Sequence, residues 1–140
     1  MYDAILFPTD GSAGATRAFD HALELAEDQE ATLHVLHVVD VLSPGASLHE
    51  TIRERMVERG GSLVETLAAE GRERGVTVET AVREGDPAAT IVDYASSEGV
   101  DVVVMPTHGR RELTKAVLGS VTDKVVRTGD VPVLVATFED

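Results

Sequence analysis

The chain has 140 residues, with 25 Asp plus Glu against 12 Lys plus Arg, and 43% of its residues are hydrophobic. One domain spanning residues 1–140 is predicted, and the apolar content excludes wholesale disorder. A formal net charge of −13 excludes an electrostatic nucleic-acid binder and disfavours docking on anionic lipid, both of which need clustered cations.

In chain order, Ala4–Phe7 is a continuous apolar run that stops at Pro8, and it reads as a first strand. Ala15, Ala18, Phe19, Ala22 and Ala26 then recur at helical spacing. Leu33–Val39 reads as a second strand and is followed by a loop containing Ser43-Pro44-Gly45. A long helix is predicted from about Leu48 to Arg74, weakened or bent at Gly60-Gly61 and stopped at Gly75. Val76, Val78, Thr80 and Val82 alternate as a third strand. Asp86-Pro87 starts the next helix, with Ala88, Ile91, Val92 and Ala95 as its inner face and Gly99 as its end. Val102–Met105 is a fourth strand, Ser120–Arg127 a last helix, and Val131–Phe138 a fifth strand.

Strands alternating with helices predict an α/β fold with one doubly wound, five-stranded parallel sheet and helices on both faces. Ala4–Phe7 and Val102–Met105 are apolar throughout, as strands buried on both faces must be. The alternating third strand and the proline-bearing fifth suit edges. Right-handed crossovers then give the order 3-2-1-4-5, a Rossmann-like arrangement. Such sheets take ligands at the carboxyl ends of their strands, where the order reverses. That point lies between strands 1 and 4, whose loops are Pro8-Thr9-Asp10-Gly11-Ser12 and Pro106-Thr107-His108-Gly109-Arg110.

Nine residues separate Met105-Pro106-Thr107-His108-Gly109 from Gly119-Ser120-Val121-Thr122-Asp123. Ser120 and Asp123 have the spacing of a capping box, and a helix start suits a phosphate. Arg110 and Arg111 could neutralise a polyphosphate. Asp10-Gly11-Ser12 also fits a simple Asx turn or helix start. His34 and His37 lie three apart on a strand and point to opposite faces, against a shared metal site. A Ser-His-Asp set, an HExxH pair and a paired-carboxylate motif are all lacking in the sequence.

The chain resembles the universal stress protein family over its whole length. The resemblance rests on Pro8-Thr9-Asp10-Gly11-Ser12, His37-Val38-Val39-Asp40, Gly85-Asp86-Pro87 and the region from Val102 to Val135. The family's ATP-binding members carry a Gly, two residues, Gly, nine residues, Gly-Ser/Thr signature. Gly109 and Gly119-Ser120 match it, whereas Pro106 replaces the first glycine and Glu112 adds a nearby anion. The resemblance implies a fold like that of the adenine nucleotide alpha hydrolases and a stress-response regulator or chaperone-like partner protein in the cytoplasm, binding ATP, ADP or AMP.

It further implies that Asp10 meets the ribose or holds Mg²⁺ or Mn²⁺ through water, beside a floor shaped by Pro8 and Thr9. Val38 would contact adenine, and Met105 and Thr107 would line the base and sugar. Gly109, Arg110, Gly119, Ser120 and Val121 would surround the phosphates, and His108 would form a pocket wall. Family members commonly dimerise through the last strand, here Val131–Ala136. A nucleotide-independent dimeric interaction module is the alternative, with a slow ATP hydrolase or nucleotidylyl transferase behind it. The acidic surplus, with ten Arg and two Lys (Lys115 and Lys124), matches the surface of a salt-adapted protein.

Overall fold

The computed structural model describes residues 1–40, 50–107 and 119–136. The element order is β1 (Ala4–Pro8), α1 (Ala13–Gln29), β2 (Thr32–Val39), α2 (Glu50–Glu73), β3 (Val78–Glu84), α3 (Pro87–Ser97), β4 (Val102–Pro106), α4 (Ser120–Thr128) and β5 (Val133–Ala136). The sheet order is β3-β2-β1-β4-β5 and every pairing is parallel, as predicted.

Alternation along the strands divides the core into two layers. Ile5, Phe7, Leu33, Val35, Val102 and Val104 pack with the apolar faces of α1 and α2. Leu6, Leu36, Val103 and Met105 pack with α3 and with Val125 of α4. β1 and β4 are therefore buried on both faces, which is why their sequences are apolar without interruption. Asp101 ties their amino ends together by accepting from Asp3 N–H at 2.8 Å and Ala4 N–H at 3.0 Å. Protonation would forfeit these two bonds, so they hold its carboxyl below the usual carboxylate range.

Several boundaries differ from the sequence reading. β3 starts at Val78, because Val76 is still held by the end of α2: Gly75 N–H donates to Arg72 O and Val76 N–H to Gly71 O, both at 3.0 Å. Gly75 supplies the positive φ (81°) that this helix end requires. β5 starts at Val133, so Val131 and Pro132 precede it, and Pro132 contributes only its carbonyl, to Val103 N–H at 2.9 Å. The predicted continuation to Phe138 and helix start at Leu48 lie outside the described residues.

The inner face of α3 is wider than predicted: Tyr94 is buried with Ala88, Ile91 and Ala95, and Val92 packs half-buried against the same layer. The tyrosine is accommodated because its hydroxyl meets His34 Nδ1 at 2.8 Å. Burial of the ring pushes the Tyr94 hydroxyl pKa up.

Gly60-Gly61 does not interrupt α2, which runs unbroken for 24 residues. Gly60 is buried against the sheet, and a Cβ there would lie 2.6 Å from His37 Cδ2 and 3.4 Å from Val82 Cγ1. Close approach to β2 and β3, and not flexibility, is what glycine supplies. Gly61 has nothing within 4 Å of an added Cβ. Adjacent substitutions should therefore have opposite signs. Gly61→Ala is expected to stabilise by up to about 1 kcal/mol through helix propensity. Gly60→Ala is expected to lose that gain to overpacking of about 1–3 kcal/mol. Urea unfolding of the two variants checks this, and equal shifts would contradict the packing account.

Candidate functional site

The turn after β1 is built by its own polar atoms. Thr9 is buried, and its N–H donates to Leu36 O at 2.8 Å, extending the β1–β2 ladder by one residue. Its hydroxyl oxygen accepts from Gly11 N–H at 3.1 Å. Asp10 Oδ1 accepts from Ser12 N–H at 2.9 Å, which is the Asx turn that Asp-Gly-Ser favours. Gly11 adopts φ 79°, open to glycine at little cost. Ser12 then caps α1 by accepting from Ala15 N–H at 3.2 Å. Asp10 is thus held half-buried between the end of a central strand and the start of a helix.

The end of β4 approaches the same carboxyl edge. Met105 and Pro106 are buried, and Thr107 is half-buried. Thr107 N–H donates to Ala136 O at 3.1 Å, and Thr107 O accepts from Gly119 N–H, so residues 107 and 119 are joined directly. Thr122, buried in the first turn of α4, donates its hydroxyl to Pro106 O at 3.0 Å. α4 is therefore fastened to β4 at its first turn.

The capping box predicted for Ser120 and Asp123 is not formed. Gly119 is the N-cap and makes no side-chain cap bond, and Ser120 is already helical. The Asp123 carboxylate pairs instead with Arg127 one turn on, with Nε at 3.0 Å. The first intrahelical bond runs from Asp123 N–H to Gly119 O at 2.9 Å. The preceding N–H groups, those of Ser120, Val121 and Thr122, are the donors a helix start leaves without intrahelical partners.

Val38 of β2 and Val121 of α4 are half-buried and pack against the apolar layer that contains Met105. They form an apolar floor from three elements beside the polar turn of Asp10. The structure thus brings Pro8, Thr9, Asp10, Val38, Met105, Thr107, Gly119, Ser120 and Val121 to one end of the sheet. His108, Gly109 and Arg110, with Arg111 and Glu112, lie outside the described residues.

Pro106 fits its strand without loss on the β5 side. The N–H groups of Val103 and Thr107 donate towards β5. By the alternation of a parallel strand, the N–H absent at 106 would face β1. Proline therefore removes a donor from the gap between β1 and β4.

His37 was not singled out for the site by sequence. Its Nδ1 lies 2.8 Å from Thr9 O. The signal available was a polar residue near the end of an otherwise apolar strand. His34 and His37 do face opposite layers, towards Tyr94 on α3 and Gly60 on α2 respectively.

The model of the universal stress protein family matches residues 1–137. The chain belongs to the universal stress protein family. Universal stress protein MJ0531 of Methanocaldococcus jannaschii is 34% identical over 139 residues, covering 96% of this chain and 82% of that protein. The solved structure of MJ0577, from the same organism, superimposes with a TM-score of 0.86 at 30% identity, covering 100% of this chain and 99% of the other. A universal stress protein family member from Arabidopsis thaliana, solved with AMP bound, shares the fold with a TM-score of 0.72 at 19% identity, covering 98% and 92%. In this universal stress protein no described helix is long and apolar enough to cross a membrane.

Proposed function

We propose that this universal stress protein binds an adenine nucleotide (ATP, ADP or AMP) at the carboxyl ends of β1 and β4. The reading rests chiefly on one observation: the Asp10 turn, the apolar floor of Val38, Met105 and Val121, and the start of α4 meet where the strand order reverses. An apolar floor suits a base, an Asp at its edge suits a ribose, and helix-start amides suit phosphate. The AMP-bound Arabidopsis family member supports the same ligand class. Val38 takes the adenine; Pro8, Thr9, Met105 and Thr107 shape the base and sugar site. Gly119, Ser120 and Val121 meet the phosphates, with His108, Gly109 and Arg110 completing the enclosure.

Among the described residues no group of three or more His, Asp or Glu side chains could hold a metal ion. A single carboxylate, Asp10, fits only an ion already carried by a triphosphate. Mg²⁺ or Mn²⁺ would therefore arrive with ATP and meet Asp10 through water. No residue is assigned as a general base, so the protein acts in this reading by binding, as a cytoplasmic stress-response regulator or chaperone-like partner. The nucleotide reaches a chain of charge −13, so screening should assist binding. Calorimetry with ATP and Mg²⁺ in low and molar KCl tests the reading. Saturable one-to-one binding, stronger in the higher salt, is expected, whereas no heat at millimolar ATP in either would overturn it. Restoring the donor with Pro106→Gly is expected to tighten binding by about threefold to tenfold, the range of one hydrogen bond.

A second reading is a nucleotide-independent dimeric module pairing through β5. Its support is the edge strand β5, on which Leu134 is 40% exposed. Light scattering in molar salt decides it, and a monomer would remove it.

A further inference from the structure

His37 joins three elements at one point. It sits near the end of β2, its Nδ1 is 2.8 Å from the carbonyl oxygen of Thr9, and its ring lies against Gly60 of α2, where an added Cβ would come within 2.6 Å. The carbonyl can only accept, so Nδ1 must carry the proton. Thr9 then has each of its polar groups engaged: N–H to Leu36 O, hydroxyl oxygen from Gly11 N–H, and carbonyl from His37.

The Thr9 carbonyl belongs to the peptide that links Thr9 to Asp10. Fixing that carbonyl fixes the plane of the peptide, and with it the direction in which Asp10 leaves the strand. The ladder does not hold it: Thr9 O faces β2, where the next donor in register would be Val38 N–H, but the last β1–β2 bond among the described residues is Thr9 N–H to Leu36 O. The ring itself cannot rotate away freely, since α2 packs on it at a position that admits no side chain.

We propose that His37 is a positioning residue for the Asp10 turn, aiming the Asp10 carboxylate by donating from Nδ1 to the Thr9 carbonyl, with Gly60 as the backing that keeps the imidazole in place. This deepens the nucleotide-binding reading and rests on it for its functional consequence, but the positioning itself is a property of the unliganded chain.

Three measurements test it. In the wild-type protein, ¹⁵N NMR of the imidazole should show Nδ1 protonated in the neutral ring, and an Nε2–H tautomer would overturn the proposal without any variant. In the absence of nucleotide, His37→Phe keeps a ring against Gly60 but has no donor. Amide exchange at Gly11 and Ser12 should then accelerate by about tenfold or more, relative to Leu33 and Val35, because the turn opens locally. His37→Asn places an amide donor where Nδ1 stood and should restore protection to within about threefold. Exchange that stays unchanged, or that rises equally in the core, would overturn the proposal. Calorimetry with ATP and Mg²⁺ should show the same pattern, about tenfold weaker in His37→Phe and recovered in His37→Asn. Equal affinities in the two variants and the wild type would overturn the functional consequence. If the wild type binds no ATP, the nucleotide reading fails while the tautomer and exchange results still decide the role of His37.

Discussion

Replacing Phe7 with alanine is expected to cost about 3–5 kcal/mol of folding stability, a large share of the roughly 5–15 kcal/mol typical of a domain. Phe7 lies in the second-to-last position of β1 and is completely buried. Its ring faces the α1 layer, with its centroid 5.2 Å from that of Phe19 and the planes tilted by 55°. β1 is central, with strands on both sides and helices over both faces, so collapse around a missing ring would require several elements to move. The urea midpoint should fall without a change in slope. Leu134→Ala, on the exposed side of the edge strand β5, should change stability by no more than about 0.5 kcal/mol. A Phe7→Ala loss below about 2 kcal/mol would show that the site relaxes more than this packing allows.

The largest effect on binding is expected at Gly119. Its backbone lies at φ −62° and ψ 156°, an extended conformation open to any residue. Glycine is therefore not required there by backbone conformation, and its N-cap role uses no side chain. In the nucleotide-binding reading, glycine leaves room for a phosphate against the first amides of α4. Gly119→Val should weaken ATP binding by about a hundredfold or more, while costing about 1 kcal/mol of stability at the cap. Calorimetry paired with thermal melting separates the two effects. Unchanged affinity in the folded variant would remove the phosphates from the start of α4.

How much of this was legible in the sequence varied with the range of the interaction. The unbroken apolar runs of Ala4–Phe7 and Val102–Met105 identify central strands, because only a strand covered on both faces can be apolar at every position. With right-handed crossovers, that is enough for the strand order and for the end of the sheet at which a ligand would sit. The turn of Asp10-Gly11-Ser12 was equally readable, since Asx turns close within three residues. The failures were of another kind. Ser120 and Asp123 have the spacing of a capping box, yet Gly119 takes the cap and Arg127 takes the carboxylate. Gly60-Gly61 carries a low helix propensity, yet the helix passes through it.

The amino-acid order by itself determined the alternation of strands and helices, the sheet order, the turn that presents Asp10, and the family. The first three follow from periodicity, composition, contacts a few residues apart and the handedness of crossovers, and the family from the resemblance of its motifs. Only the tertiary structure decided why Gly60 must be small, that Tyr94 can be buried on His34, and that His37 holds the Thr9 carbonyl. These are matters of distance between segments remote in sequence. They depend on how closely α2 and α3 approach the sheet, which no local spacing encodes.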